Sequence, residues 1–262
     1  MISKSSTLGL LLNAAFLLTK EIQVHSVTPM PSDAWPTSRG TVVFDKPKEV
    51  LPGTIFDGGF KTYELANVTC KGQVEGGAGT AVFIVRPGAT LRNVIIGKGQ
   101  TEGVHCEEND CHIESVFWSL VCEDALTIKG GNANSVTRVL GGGARNAKDK
   151  IIQHNGPGTV IIEGFLAQNF SKLYRSCGNC KDQYTRHVSL TNIRAIKPKI
   201  SIATVNSNFK DQATLRNIII ESGKGVPACQ YTEGTRSGEP KLIGSGPFGT
   251  VCNYRLADIK YE

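Results

Sequence analysis

The sequence predicts an all-β fold in which short strands stack as successive coils of a parallel solenoid. The chain of 262 residues contains 29 glycines and only 7% aromatic residues, which suits short strands joined by tight turns. Its β-branched runs are separated by Gly, Asn and Asp, and no stretch shows the period of a long amphipathic helix. One eight-residue segment also occurs twice, as expected of a repeat protein.

The repeated segment suggests the length of one coil. Residues 89–96 (ATLRNVII) recur as residues 213–220 (ATLRNIII), 124 residues later. Six coils of roughly 21 residues would fill this offset, and Asn93 suits a tight bend between strands. An antiparallel sandwich is the alternative, but few loops suit the hairpins that it requires. Clear strand candidates are residues 81–85, 90–96, 159–162, 188–193 and 200–205.

The N-terminal residues have the features of a secretory signal. Lys4 precedes an apolar run over residues 8–18, which is too short to span a bilayer. We therefore expect a signal peptide over residues 1–26 and a single β-helix domain over residues 27–262. A buried N-terminal helix is the alternative. A signal peptide without a second apolar span predicts a secreted, extracellular protein that is not held in a membrane.

The cysteines agree with export. The chain has eight, and an even number in an exported protein predicts up to four disulfides, with the pairing left open. Cys177 and Cys180 form a single CxxC motif, which is expected to be structural, paired either internally or with other cysteines. Glycosylation sequons begin at Asn67 and Asn169.

The net charge of +6 and the pI near 8.9 point to an anionic partner: nucleic acid, an anionic membrane or an acidic polysaccharide. The positive residues are scattered and are not interleaved with aromatic residues, which argues against nucleic acid. We expect a monomer that binds neither nucleic acid nor membranes.

Three acidic residues have the spacing of one coil. Glu123 and Asp124 are adjacent at the start of a short β-patterned run, and Glu102 precedes Glu123 by 21 residues. Stacked coils would bring them to about 4.8 Å from one another, where carboxylates repel strongly unless a cation lies between them. Oxygen ligands suit Ca²⁺. The alternative is a solvated turn, which is the commoner environment of an isolated acidic pair.

Basic residues follow at similar intervals. Lys150 lies 27 residues after Glu123, and Arg175 lies a further 25 residues along the chain. Each alone would usually be a surface side chain, but cations beside an acidic column would bind a polyanion. Four histidines lack metal-ligand spacing and are expected to be structural: His105, His112, His154 and His187.

Five blocks of the sequence carry a family resemblance. They are residues 89–97 (ATLRNVIIG), 102–106 (EGVHC), 121–131 (VCEDALTIKGG), 149–156 (DKIIQHNG) and 172–180 (KLYRSCGNC). In this order they resemble the family 3 pectate lyases, which are secreted pectin-degrading enzymes. The resemblance extends from about Gly53 to Tyr254, and Glu102 with the terminal run GSGPFGTVC looks most like oomycete members.

This resemblance implies a right-handed parallel β-helix that cleaves polygalacturonate by calcium-dependent β-elimination. A lysine acts as a base only when unprotonated, and we expect nearby Ca²⁺ and Arg175 to lower the pKa of Lys150. Activity should then rise toward alkaline pH. By position, the resemblance implies calcium ligands at Glu102, Glu123 and Asp124, the proton-abstracting base at Lys150, a substrate-binding arginine at Arg175, and an acid for the leaving oxygen at Glu75.

Two departures from the family pattern support an alternative. Many relatives have Asp where this chain has Glu102, and many have an acidic residue within the stretch that is Trp118-Ser119-Leu120 here. A catalytically weakened, polyuronate-binding paralogue on the same fold is therefore the alternative function. A hydrolase such as a polygalacturonase would need a cluster of aspartates around a water molecule, and this sequence offers no comparable cluster.

Overall fold

The computed structural model describes residues 26–74 and 76–262. Hydrogen bonds join its strands into one continuous sheet that winds about six turns, which confirms the predicted right-handed parallel β-helix. Apart from Ser26, the predicted signal peptide lies outside the described residues. No helix in the described part of the chain is long and apolar enough to cross a bilayer.

Within the described residues, the solenoid contains eighteen strands and three short 3₁₀ helices. The helices are Ala78–Thr80, Ser207–Phe209 and Leu256–Asp258. The strands are β1 (Thr41–Phe44), β2 (Lys48–Val50), β3 (Ile55–Leu65), β4 (Ala81–Val85), β5 (Thr90–Ile96), β6 (Glu102–Cys106), β7 (His112–Trp118), β8 (Leu126–Ile128), β9 (Val136–Leu140), β10 (Gly143–His154), β11 (Gly158–Glu163), β12 (Leu166–Ser176), β13 (Arg186–Asn206), β14 (Gln212–Glu221), β15 (Cys229–Glu233), β16 (Lys241–Ser245), β17 (Cys252–Asn253) and β18 (Ile259–Tyr261).

The strand register corrects the expected coil length. Five coils of 22 to 28 residues fill the offset between the two copies of the repeat, whereas the repeat alone suggested six coils of about 21. Loops between strands tolerate changes in length while the strands keep their stacking. An average coil length therefore gave the wrong number of coils. The residues paired at one position on successive coils are Arg92, Glu114, Leu140, Glu163, Thr191 and Arg216.

Asparagines turn the chain at the corners of several coils. Asn93, Asn192 and Asn217 have φ values of 52°, 56° and 54°, in the left-handed region that asparagine tolerates better than most residues. Asn217 Nδ2 also donates to Asn192 Oδ1 at 2.6 Å, which links adjacent coils. The bend at Asn93 lets both Leu91 and Val94 face the core, where neither is exposed.

Four disulfides involve all eight cysteines, as the even count predicted. Their pairing, which the sequence left open, joins Cys177 to Cys180 within the CxxC motif. The other bonds are Cys70–Cys122, Cys106–Cys111 and Cys229–Cys252.

One antiparallel hairpin departs from the solenoid. Strand β15 pairs in parallel with β13 on one side and antiparallel with β16 on the other. The following turn residues, including Glu239 and Pro240, and Leu242 on β16 therefore project beside the coils. These three residues line one side of a cavity on the adjacent face.

Candidate active site

Backbone hydrogen bonds place Glu102 on the coil next to Glu123 and Asp124, as the 21-residue spacing predicted. Glu123 N donates to Thr101 O at 3.1 Å, and Gly103 N donates to Asp124 O at 3.2 Å. The three acidic residues are buried, with at most 4% of their surface exposed. Burying carboxylates is costly unless other charges or hydrogen bonds compensate them, so the arrangement requires a cationic partner.

The glycine after Glu102 has a packing role. A Cβ atom on Gly103 would collide with the indole of Trp118 and with the carbonyl of Ala125. Trp118 packs in the core against this glycine and is 2% exposed. Leu120 lines a separate cavity, so this part of the departure from the family pattern lies outside the cleft described below.

His105 holds the first carboxylate in place. Its Nε2 lies 3.2 Å from Glu102 Oε2, and its Nδ1 lies 2.7 Å from Glu107 Oε1. The second oxygen of Glu102 accepts from Gly76 N at 3.1 Å. From the sequence we expected His105 to be structural, and no sequence pattern indicated its contact with Glu102. Glu75 lies outside the described residues, so its assignment as an acid stays a prediction, although its neighbour Gly76 is in contact with Glu102.

Lys150 lies among three carboxylates. Its Nζ is 3.3 Å from Glu123 Oε1, 3.4 Å from Asp124 Oδ1 and 2.9 Å from Asp149 Oδ2. Asp149 uses its other oxygen to pair with Lys172 Nζ, also at 2.9 Å. Lys150 and Lys172 occupy equivalent positions on adjacent coils. Asp149 therefore links two lysines, and neither Asp149 nor Lys172 was identified from the sequence.

The carboxylates around Lys150 raise its pKa, whereas the lowering expected with bound Ca²⁺ stays a prediction. Burial alone would lower the pKa, but the negative charges of Asp124, Asp149 and Glu123 outweigh burial and hold the lysine protonated. Burial also raises the pKa of Asp124 well above its ordinary value; Lys150 opposes this shift, while Glu123 and Glu102 add to it. The prediction considered the cations near Lys150 but not this excess of carboxylates.

Arg175 lies further along the same face, on β12, with 9% of its surface exposed. Its Nη1 donates to Thr232 Oγ1 at 3.2 Å. Burial lowers the pKa of Arg175 to about 10, although Asp211 and Asp149 counteract it, so the guanidinium remains charged at neutral pH. The guanidinium packs against Gly178, where a Cβ atom would collide with Nη2.

A cleft of about 710 Å³ brings these groups together. Of the predicted site residues, Asp124, Lys150 and Arg175 line it, whereas Glu102 and Glu123 do not. Residues that the sequence did not identify complete the lining. They come mainly from the β10, β12 and β13 strands, the CxxC loop and the β15–β16 hairpin. They include Asp149, Gln153, Lys172, Asn179, Gln230, Thr232 and Glu239.

The acidic residues fit a hard divalent cation in their chemistry. They supply oxygen donors only, and Asp124 Oδ1 is buried and accepts no hydrogen bond within the described residues. Within residues 26–74 and 76–262, however, no three His, Cys, Asp or Glu side chains are grouped closely enough to hold a metal. Glu123 and Asp124 instead contact the ammonium group of Lys150, and Glu102 contacts His105.

The fold and the cleft define a β-helix enzyme with carboxylates, lysines and an arginine in one groove. The family model described as "Pectate lyase" matches residues 32–239. The chain belongs to the pectate lyase family and is a polysaccharide lyase.

Two curated relatives from Emericella nidulans support this assignment. The chain is 48% identical to pectate lyase E over 250 residues, which cover 94% of each protein. It is also 48% identical to the probable pectate lyase D, over 84% of this chain and 81% of that protein. These relatives do not favour the weakened paralogue, and their fungal origin gives no support to the expected likeness to oomycete members.

Solved structures of two forms of a bacterial pectate lyase share the fold. The catalytic domain of pectate lyase PelI from Erwinia chrysanthemi matches with a TM-score of 0.70 and 27% identity, covering 85% of this chain and all of that domain. The same enzyme in complex with tetragalacturonic acid matches with a TM-score of 0.68 and 28% identity, over 82% of this chain and 70% of that one.

Proposed function

We propose that this protein is a secreted, calcium-dependent pectate lyase that cleaves polygalacturonate, the de-esterified form of pectin, by β-elimination. The observation that carries the proposal is the placement of Asp124, Lys150 and Arg175 in one cleft. Glu123 precedes Asp124 in the chain, and Glu102 lies on the adjacent coil. A polyuronate carries one carboxylate per sugar, and the basic part of the cleft complements that charge.

Arg175 binds a substrate carboxylate in this mechanism. Its guanidinium lines the cleft and donates one side-chain hydrogen bond within the described residues, to Thr232. Its other N–H groups remain for a ligand, and a planar guanidinium matches a carboxylate in bidentate geometry. Lys172 lines the same cleft on a neighbouring position of β12 and adds positive charge.

Lys150 removes the proton from C5 of a galacturonate residue. The C5–H electron pair forms the C4–C5 double bond, and the bond from C4 to the glycosidic oxygen breaks. The departing oxygen takes up a proton, and Glu75 is the proposed donor of that proton. Bound by Glu102, Glu123 and Asp124, calcium would neutralise the carboxylate next to C5 and also the protein carboxylates that hold Lys150 protonated. Lys150 must be unprotonated to act, so we expect activity to rise toward alkaline pH.

Secretion is supported by features outside the cleft. The four disulfides suit an oxidising compartment. Both sequon asparagines are exposed, but Asn169 donates its amide to Asn146 Oδ1 at 2.8 Å. Asn67 is therefore the better candidate for glycosylation. The monomeric state stays a prediction.

The test is the formation of unsaturated uronides from polygalacturonate, followed by their ultraviolet absorbance with calcium or with EDTA from neutral to alkaline pH. We expect absorbance with calcium, more of it at alkaline pH, and none with EDTA. New reducing ends without absorbance would indicate a hydrolase. No product together with EDTA-independent binding to polygalacturonate would overturn the proposal in favour of the binding paralogue.

A further inference from the structure

The guanidinium of Arg175 depends on a hydroxyl group from a distant part of the chain. Thr232, on β15, is 57 residues away in sequence and accepts from Arg175 Nη1 at 3.2 Å. Within the described residues, the Arg175 side chain makes this one hydrogen bond. A buried, charged group with a single such partner is sensitive to its loss.

The Thr232 hydroxyl is itself held in one orientation. Its Oγ1 lies 2.9 Å from Asn206 Oδ1 and 3.2 Å from the carbonyl oxygen of Val205. A hydroxyl has one proton and two lone pairs. The proton is directed to these acceptors on β13, which leaves a lone pair for Arg175.

A buried carboxylate fixes the asparagine in turn. Asn206 Nδ2 donates to Asp211 Oδ2 at 2.9 Å, and Asn206 N donates to the same oxygen at 2.9 Å. Arg186 N donates to Asp211 Oδ1, also at 2.9 Å. Neither Asn206 nor Asp211 is exposed. A continuous chain of hydrogen bonds therefore runs from the buried Asp211 through Asn206 and Thr232 to the cleft.

We propose that Thr232 is a positioning residue, which orients the Arg175 guanidinium for substrate binding through a hydroxyl fixed by Asn206. The proposal rests on the proposed function where it concerns substrate, but the position of Arg175 can be tested without it. Cys229, three residues before Thr232, is bonded to Cys252 on β17. This cross-link ties β15 to the following strands and so to the body of the solenoid.

The matched variants are Thr232→Val, which keeps the shape and removes the hydroxyl, and Thr232→Ser, which keeps the hydroxyl. For elimination of polygalacturonate with calcium, we expect Thr232→Val to raise KM about tenfold with little change in kcat, because binding alone is weakened. Thr232→Ser should restore KM to within about twofold of the original. Thr159→Val, on β11 outside the cleft, controls for the loss of a hydroxyl elsewhere, and its KM should not change.

Crystal structures of the two variants separate this inference from the proposed function. We expect the Arg175 guanidinium to leave its place beside Gly178 in Thr232→Val and to keep it in Thr232→Ser. An unmoved guanidinium in Thr232→Val, or an unchanged KM, would overturn the inference. If the unmodified protein forms no unsaturated product, the proposed function fails, and the crystal structures alone decide the role of Thr232.

Discussion

The two halves of the cleft hold their charges in different ways. In the acidic half, Asp124 is buried against Lys150, which also pairs with Asp149 and with Glu123 next to the cleft. In the basic half, Arg175 is buried with a neutral hydroxyl as its side-chain hydrogen-bond partner within the described residues. The acidic half thus neutralises its own charges, whereas the basic half keeps a charge available for a ligand.

This difference indicates which half changes when substrate and cation arrive. A charged group whose partners are neutral is already prepared for an anion, because no existing ion pair must break. Lys150, by contrast, is held protonated by carboxylates and cannot act as a base until their charge is reduced. We expect the basic half to determine substrate affinity and the acidic half to determine turnover.

The largest expected effect is on turnover. Lys150→Ala removes the proposed base, and we expect kcat to fall by about a thousandfold, with calcium still bound. Lys148→Ala is the matched control, because Lys148 is exposed and lines a different cavity from the cleft. Steady-state kinetics with calcium, together with the calcium-dependent rise in Tm, measure both properties. Retained turnover in Lys150→Ala would move the base elsewhere, and loss of turnover in Lys148→Ala would identify Lys148.

A smaller effect is expected on thermal stability, which Asp124→Asn should change in opposite directions in metal-free and in calcium-bound protein. The pKa of Asp124 is raised in the folded state, so its ionised form at neutral pH destabilises the fold, and this cost disappears as pH falls toward its unfolded pKa of about 3.9. In EDTA near pH 7, Asp124→Asn should therefore unfold at a temperature at least as high as the unmodified protein, and the difference should vanish near pH 4.

Calcium should reverse this order. At calcium concentrations of about one hundred times Kd, the unmodified protein should gain about 2.7 kcal/mol of unfolding free energy, and Asp124→Asn should gain much less. Thermal unfolding with calcium or EDTA at several pH values gives the comparison, and Asp45→Asn, at an exposed position, serves as the control. Equal calcium stabilisation of Asp124→Asn and the unmodified protein would exclude Asp124 as a ligand.

The sequence predicted the acidic half better than the basic half. Glu102 lies on the coil next to Glu123 and Asp124, and a repeat length was enough to predict this placement. The carboxylate partners of Lys150 were incompletely predicted, because Asp149, its immediate neighbour in sequence, was not recognised as one of them. Thr232 and Pro240 could not be found by spacing, since they come from a hairpin that leaves the solenoid pattern.

The fold shows the same division between regular and irregular parts. Strands β4 and β5 have the limits that the sequence predicted, because apolar β-branched runs report burial directly. The number of coils was overestimated, because turn lengths vary without disturbing the stacked strands. The regular repeat therefore predicts which strands stack on one another. The irregular segments, which it does not predict, supply many of the residues that line the cleft.

The smallest expected effect is on KM, and it comes from a substitution in the basic half alone. A methyl group added by Gly178→Ala would collide with Arg175 Nη2 and with Pro240 Cγ. The bond between Cys177 and Cys180 closes the loop around this glycine, so the backbone has little room to withdraw and the guanidinium must move. We expect KM for polygalacturonate to rise about tenfold while kcat stays nearly constant, as for lost binding to ground state and transition state alike.

Gly99→Ala is the matched control for this substitution, because no atom lies within 4 Å of the added methyl position. Its KM should equal that of the unmodified protein. A fall in kcat for Gly178→Ala without a change in KM would place Arg175 among the groups that act in the transition state. The division of the cleft into an affinity half and a turnover half would then be wrong.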